Sequence, residues 1–463
     1  MKNLVYAVSL LTVSFLVVSG CNGGGGENGS LTDQQKALID NIVECVRLEK
    51  QLPGVALSVI KDGEVIYDRG YGKADIASGA DVTGDTLFAI GSVTKIFTTF
   101  AVLQLVEEIL ASLDDQIGEY LPDLPNENWK IVTIRDLLSM TSGIPEYSFC
   151  KGGAHDGEAC QVNTGFPNFP EPDGCGAEAV CESANRVPYP EYLEGVSPVP
   201  VQFPPGSQYF YSNTNFIILG LLVEELSGAD YQTYVDDHVI GPLDMTNTFP
   251  NTVPPPAIIG LATPYRITAD PGPEAVPCVT FDNPPGNCAL PEPGGVMCEV
   301  IPPDELRLPE QSFSAGWLVS NLKDFHNLES VLHNLSPILL EPVSYEEMWT
   351  NMEFTNNMFG PFGLGWGVCS ELDEGPCPFH LDPLSGGPIP DEGMKENPAV
   401  IGKVVSKDGA LAGYSSFIAR YLEDGLTIVV FINTLNPKEP AELKFGPGEI
   451  VDPVADVVRT GGL

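Results

Sequence analysis

The sequence predicts an α/β (α+β) protein: an antiparallel sheet flanked by N- and C-terminal helices and interrupted by a mostly helical domain. Three observations carry this. Alternating, β-branched runs bounded by turn residues stand near both ends of the chain, at 55–67 and 404–432, with helices and loops between. Apolar stripes at helical spacing precede the first run, follow the last and fill the middle. Of 463 residues, 43% are hydrophobic and 18% charged, a composition that buries a core instead of staying disordered.

The first residues read as a processing signal. Lys2 supplies a positive end, Leu4 to Val18 is almost unbroken apolar sequence, and Val18-Ser19-Gly20-Cys21 places small residues before a cysteine. This tetrapeptide resembles a bacterial lipobox, which implies cleavage before Cys21 and a diacylglyceryl group on its sulfur. Residues 1–20 are then a signal peptide, and 21–30, with the run Gly23 to Gly26, a flexible tether. The expected location is the bacterial cell envelope, lipid-anchored on its periplasmic or extracellular side. An uncleaved anchor and an ordinary signal peptide are the alternatives.

Thr32-Asp33-Gln34-Gln35 then has the form of a capping box, followed by the stripe Leu38, Ile39, Ile42, Val43 and Val46. Val55 to Ile60, the turn Lys61-Asp62-Gly63 and Glu64 to Tyr67 make a hairpin. From Ser92, the spacing of Ile96, Phe97, Phe100, Ala101, Leu103, Leu105 and Val106 predicts a long helix. Thr133 to Leu138 starts a short one, and Asn215 to Leu226 is an apolar helix ending at Gly228. Val404–Ser406, Ser416–Tyr421 and Leu426–Ile432 read as sequential strands with turns at Gly409, Gly413 and Gly425, and Ile450 to Val458 closes the chain as a helix. The sheet domain is thus expected from 31–90 and 310–463, and the helical domain from 91–309.

Two stretches near 149–197 and 253–309 lack periodicity, are rich in proline and carry four and three cysteines; they are expected as disulfide-stapled loops. Apart from Cys21, ten cysteines remain, an even number that fits disulfides in an exported protein. A zinc site is the weaker reading, because no Cys-x-x-Cys or His-Glu-x-x-His occurs. The formal net charge of -41, from 63 acidic and 22 basic residues, repels nucleic acid, so no nucleic-acid partner is expected.

Three short motifs carry chemistry. Ser92-Val93-Thr94-Lys95 puts a hydroxyl and an amine three apart, on one face of a helix. A lysine stripped of water beside another cation loses its proton readily and can serve as a base. Ser92 also fits a plain N-cap, and Ser58-x-x-Lys61, Ser148-x-x-Lys151 and Ser320-x-x-Lys323 repeat the spacing. Tyr211-Ser212-Asn213 supplies a phenol that can carry a proton and an amide that can accept from a lysine. Lys407-Asp408-Gly409 ends a predicted strand, where glycine allows close approach and the Ala410 N–H can face an oxyanion. Lys61-Asp62-Gly63, Lys151-Gly152-Gly153 and Lys444-Phe445-Gly446 imitate this last motif. Each motif alone is weak; their order is specific.

In that order they resemble the serine β-lactamase and penicillin-binding D-alanyl-D-alanine carboxypeptidase family, in its class C-like branch. The contexts agree: Leu52-Pro53-Gly54-Val55-Ala56, Leu137-Leu138-Ser139-Met140-Thr141-Ser142-Gly143, Pro205-Gly206, Ser314-Ala315-Gly316-Trp317, Gly363-Leu364-Gly365-Trp366 and Gly413-Tyr414-Ser415-Ser416. The resemblance runs from the first hairpin to the last strand, outside the two cysteine-rich stretches, and implies a β-lactamase/transpeptidase-like fold. It implies Ser92 as nucleophile, Lys95 as its activator and Tyr211 as proton carrier. Asn213, Lys407, Gly409 and Ala410 would line the substrate site, with the N–H groups of Ser92 and Ala410 as oxyanion hole. No metal or organic cofactor is implied. The implied substrates are a peptidoglycan stem peptide or a β-lactam.

One position departs from the pattern. The middle residue of the third motif is often a hydroxyl residue that helps hold the substrate carboxylate; here it is Asp408. A carboxylesterase on the same scaffold is therefore a second expectation, and an idle envelope-binding lipoprotein a third. An α/β-hydrolase is excluded, since the chain has no Gly-x-Ser-x-Gly.

Overall fold

The computed structural model describes residues 30–146, 150–151, 161–162, 193, 196–197, 200–251, 258–268, 273–279, 285, 288, 297–301, 313–355, 360–369, 404–411, 413–434 and 448–461. The signal segment with Cys21, the glycine tether, and Cys160, Cys175, Cys181 and Cys377 lie outside them.

Helix α1 (Asp33–Glu49) opens on the expected capping box. The Thr32 hydroxyl accepts from the Gln35 N–H at 3.2 Å, and the Gln35 side chain accepts from the Thr32 N–H at 3.0 Å. Strands β1 (Gly54–Lys61) and β2 (Glu64–Asp75) form the expected hairpin. Asp62 and Gly63 turn it with φ of 53° and 79°, as a two-residue turn with positive φ at both positions demands. Short strands β3 (Ala80–Asp81) and β4 (Phe88–Ala89) lead to a 3₁₀ turn at Gly91–Val93 and then α2 (Thr94–Glu107). Helix α2 is buried from Thr94 to Leu103 on every side, so a lysine placed there is stripped of water.

Next come α3 (Ile134–Leu138), the two-residue pair β5 (Cys150–Lys151) and β6 (Gln161–Val162), α4 (Asn213–Ser227), α5 (Tyr231–Val235) and β7 (Phe249–Pro250). Gly228, at φ 70°, ends α4 where expected. Then follow β8 (Tyr265–Thr268), β9 (Met297–Val300), α6 (Phe313–Gly316), β10 (Leu318–Ser320), α7 (Leu322–His333) and α8 (Pro342–Met348). Last are β11 (Gly367–Cys369), β12 (Val404–Leu411), β13 (Tyr414–Tyr421), β14 (Leu426–Ile432) and α9 (Gly448–Thr460).

The main sheet runs β11-β12-β13-β14-β1-β2-β3, with every described neighbour antiparallel. Strand β1 lies against β14 with Val55 opposite Ile432 and Lys61 opposite Leu426, so the two ends of the chain meet at the sheet centre. The period of two sorts its side chains between two cores. Ala56, Ile418, Val429 and Phe431 join the core of α2 and α4, with Phe97, Phe100 and Ile217. Val55, Leu57, Val59, Ile428 and Val430 join the core under α1 and α9, with Ile39, Val43, Ile450 and Val454.

The fold departs from the sequence expectation in both cysteine-rich stretches, the first of which holds the short β5–β6 pair, and along β12. The second cysteine-rich stretch is not all loop: β8 and β9 pair, and Ile267 and Cys298 enter the core under α1. Disulfides Cys278–Cys298 and Cys45–Cys288 fasten this stretch to itself and to α1; Cys369 is disulfide-bonded too. Strand β12 continues to Leu411, so Gly409 is not a turn residue but pairs with Ser416 inside the ladder. Among the described residues, no helix is long and apolar enough to cross a membrane, and no group of three or more His, Cys, Asp or Glu could hold a metal ion.

Candidate active site

Ser92 stands in the 3₁₀ turn just before α2, on the seam between that turn and β12. The seam is tight because two glycines face across it. A Cβ on Gly91, whose φ is 48°, would lie 2.8 Å from the Ala410 carbonyl oxygen and 2.9 Å from the Ala410 nitrogen. A Cβ on Gly409 would lie 2.1 Å from the Ile90 carbonyl oxygen and 2.3 Å from Ser416 Oγ. Only glycine fits at either position, and the Ser416 hydroxyl donates across the joint to the Ile90 carbonyl at 2.7 Å.

One helical turn after Ser92, Lys95 is fully buried. Its Nζ lies 3.0 Å from Ser92 Oγ, 2.6 Å from Asn213 Oδ1 and 2.5 Å from the Ala315 carbonyl. The Tyr211 hydroxyl donates to Ser92 Oγ at 2.7 Å. Ser212 between Tyr211 and Asn213 is extended (φ -141°, ψ 117°), so those two side chains point the same way, as alternate residues of a strand do. Asn213 is also the first residue of α4, which starts two residues before the apolar run that announced it.

Lys407 on β12 completes the cluster, with Nζ 5.4 Å from the Tyr211 ring centroid and 6.0 Å from that of Phe362. Its ammonium, 1% exposed, donates to Asp408 Oδ1 and to the Asp408 carbonyl, both at 2.8 Å. The carboxylate that departs from the family pattern is therefore turned onto the neighbouring lysine. All three motifs converge, and Gly409 and Ala410 lie where β12 passes the Ser92 turn.

The imitating motifs do not assemble. Ser58 Oγ lies 2.9 Å from His326 Nε2, while Lys61 Nζ donates to the Asp424 carbonyl. Ser320 Oγ meets Thr248 Oγ1 at 2.7 Å, while Lys323 pairs with Asp85 at the surface. Residue 148, the side chain of Lys151 and residues 444–446 lie outside the described set.

Burial, then the nearby Lys407 charge, push the Lys95 amine well below the ordinary lysine range, against the pull of Glu146 and Asp408. Burial, then the Asp408 charge, hold the Tyr211 phenol well above its ordinary value. The site thus favours the uncharged form of the amine and the protonated form of the phenol, both facing one serine oxygen.

Sequence reasoning missed several contributors. Glu146, 3% exposed, accepts from the Asn213 side-chain amide at 2.9 Å and from the Asn213 backbone N–H. The Ala315 carbonyl belongs to a phrase quoted only as family context, and the Tyr209 and Phe362 rings meet at a tilt of 40° with centroids 5.5 Å apart. Nothing in the spacing of Ile144-Pro145-Glu146 distinguishes it from a loop.

Comparison with known proteins bears on the family and the fold. Residues 36–446 match the Beta-lactamase family. "Protein flp" of Staphylococcus aureus (strain MW2) is 28% identical over 221 residues, 47% of this chain and 39% of that protein. An Escherichia coli (strain K12) protein named "Putative D-alanyl-D-alanine carboxypeptidase" is 28% identical over 210 residues, 42% of this chain and 43% of that protein. The matches thus span less than half the length of these curated relatives. Among solved structures, the D-amino acid amidase from Ochrobactrum anthropi SV3 superposes with a TM-score of 0.64 at 20% identity, covering 93% of this chain and 99% of that one, which shows the shared fold. With a family match over most of its length and that family's fold around the Ser92 cluster, the chain belongs to the Beta-lactamase family.

Proposed function

We propose that this protein is a serine hydrolase that forms an acyl-enzyme on Ser92, of the D-Ala-D-Ala carboxypeptidase and β-lactamase type. One observation carries the reading: Ser92 Oγ has the Tyr211 hydroxyl at 2.7 Å and the Lys95 amine at 3.0 Å. A neutral amine has two N–H bonds and one lone pair. Asn213 Oδ1 and the Ala315 carbonyl take the two N–H bonds, leaving the lone pair for the Ser92 proton.

In this reading Lys95 takes the Ser92 proton as Oγ bonds to the substrate carbonyl carbon. The N–H groups of Ser92 and Ala410 receive the oxyanion across the glycine seam. As the carbon–leaving group bond breaks, Tyr211 delivers a proton to the departing atom and is reprotonated through Lys95. Water then repeats the sequence on the ester, releasing the acid and restoring Ser92. Asn213, Lys407, Gly409 and Ala410 line the substrate site. Peptidoglycan stem peptides and β-lactams are the first substrates to try, on the periplasmic or extracellular side of an envelope to which lipidated Cys21 would tether the chain.

A second reading, carboxylesterase, is favoured by the Lys407–Asp408 pair, because that lysine is already occupied by a carboxylate. Turnover of a chromogenic cephalosporin, a D-Ala-D-Ala peptide and a short p-nitrophenyl ester on one preparation separates the two. Mass spectrometry after a fluorophosphonate or penicillin probe tests both: an adduct on Ser92 is expected. No adduct in folded protein would leave an envelope-binding lipoprotein as the better account.

A further inference from the structure

We infer that Glu146 is a positioning residue for acylation, fixing which end of the Asn213 amide faces Lys95. This rests on the acyl-transfer reading above. A carboxylate has no proton to give, so the group it meets must be the donor end of the amide. Glu146 Oε1 accepts from Asn213 Nδ2 at 2.9 Å, and that contact turns Oδ1 toward Lys95 Nζ, 2.6 Å away. Glu146 Oε2 accepts from the Asn213 backbone N–H, anchoring the first residue of α4 at the same point. The Glu146 carboxylate is 3% exposed and the two contacts are part-buried, so the low local dielectric strengthens both.

The reversed amide would defeat the site. Nδ2 would then point at Lys95 and either oppose its N–H bonds or occupy its lone pair. In the second case the lone pair is no longer free for Ser92, although every catalytic atom is still present. Glu146 touches neither Ser92 nor substrate in this scheme; it acts through Asn213.

Charge and position pull in opposite directions here, which makes the inference testable. The groups acting on Lys95 are Lys407, which drives its proton off, and Glu146 and Asp408, which hold it on. By charge alone, Glu146→Gln would help, since the Lys95 amine would be neutral over a wider pH range. By position it would hurt, since a glutamine can meet either end of the Asn213 amide. A loss of fold would lower the rate but move the Lys95 titration up toward the ordinary lysine range, opposite to the shift that loss of the Glu146 charge gives.

The test measures the rate at which a fluorophosphonate labels Ser92 in the full chain, across pH, with Lys95 followed by ¹³C NMR. In Glu146→Gln the Lys95 titration and the acid limb move to lower pH, while the labelling plateau falls about 10–100-fold. In an Asn213→Ala background the same change costs no more than about twofold. Glu146→Asp, which keeps an acceptor-only group, recovers at least about fivefold over the glutamine variant. A plateau within about twofold of wild type, or an equal loss with and without Asn213, would overturn the inference. If wild-type Ser92 is not labelled at any pH, the acyl-transfer reading falls, and a Lys95 titration unmoved by Glu146→Gln would then overturn the inference on its own.

Discussion

Replacing Asp408 with serine should turn the cleft toward substrates that end in a free carboxylate. Asp408 Oδ1 lies 2.8 Å from Lys407 Nζ, and the lysine is 1% exposed, so an arriving anion meets two opposed charges. For a substrate carboxylate about 4 Å from Nζ and about 6 Å from Asp408, an effective dielectric of about 20 gives an attraction of about 4 kcal/mol and a repulsion of about 3 kcal/mol. Asp408 is 21% exposed, so solvent screens part of that repulsion. Halving it leaves about 1.4 kcal/mol, or about tenfold, to be recovered when the charge is removed. The assay compares kcat/KM for one acyl-D-Ala-D-Ala peptide as free acid and as C-terminal amide, in wild type and Asp408→Ser. Any change at Lys95 or Tyr211 affects both substrates alike and cancels in the ratio. The acid-to-amide ratio should rise about tenfold, and less at high salt. A ratio that stays put, or moves toward the amide, would refute the reasoning that Asp408 masks Lys407.

Two further outcomes follow from the same cluster. Lys407→Met removes the charge that helps keep Lys95 deprotonated and leaves Asp408 unpaired, and both effects raise the Lys95 pKa. The acid limb of the kcat/KM profile should then move to higher pH; a limb that stays or moves lower would separate Lys407 from Lys95. Gly409→Ala puts a Cβ 2.1 Å from the Ile90 carbonyl oxygen, so the seam must open. Moving one oxyanion donor should cost about 10²-fold or more in kcat, and the clash about 1–3 kcal/mol in stability. Full activity with an unchanged Tm would show that the seam tolerates a side chain.

The site was legible where chemistry is written in consecutive residues. Ser92-x-x-Lys95, Tyr211-x-Asn213 and Lys407-x-Gly409 each need a local spacing, and those spacings survive folding as one turn of helix or alternate positions of extended chain. Glu146 was invisible because its contact is with an amide 67 residues away. The extent of β12 was misjudged because glycine in a strand run looks like a turn; at Gly409 it answers the approach of Ile90 from another segment. The β8–β9 ladder was lost for a related reason: four-residue strands at 265–268 and 297–300, with no tight turn between them, leave no periodic trace. The hairpin and both capped helices were legible because their signals lie within a few residues of the structure they specify.

The pairing of β1 with β14 also bears on when the molecule becomes competent. The hydroxyl, amine and phenol are all made by residue 211, but the strand that presses the glycine seam shut arrives only at 404–411, and its support at 414–432 later still. On the acyl-transfer proposal, a chain built only as far as residue 403 would carry the Ser92 hydroxyl without the β12 backbone that is proposed to receive the developing negative charge. On the same proposal, termination before the last strands would yield a chain unable to stabilise the tetrahedral intermediate.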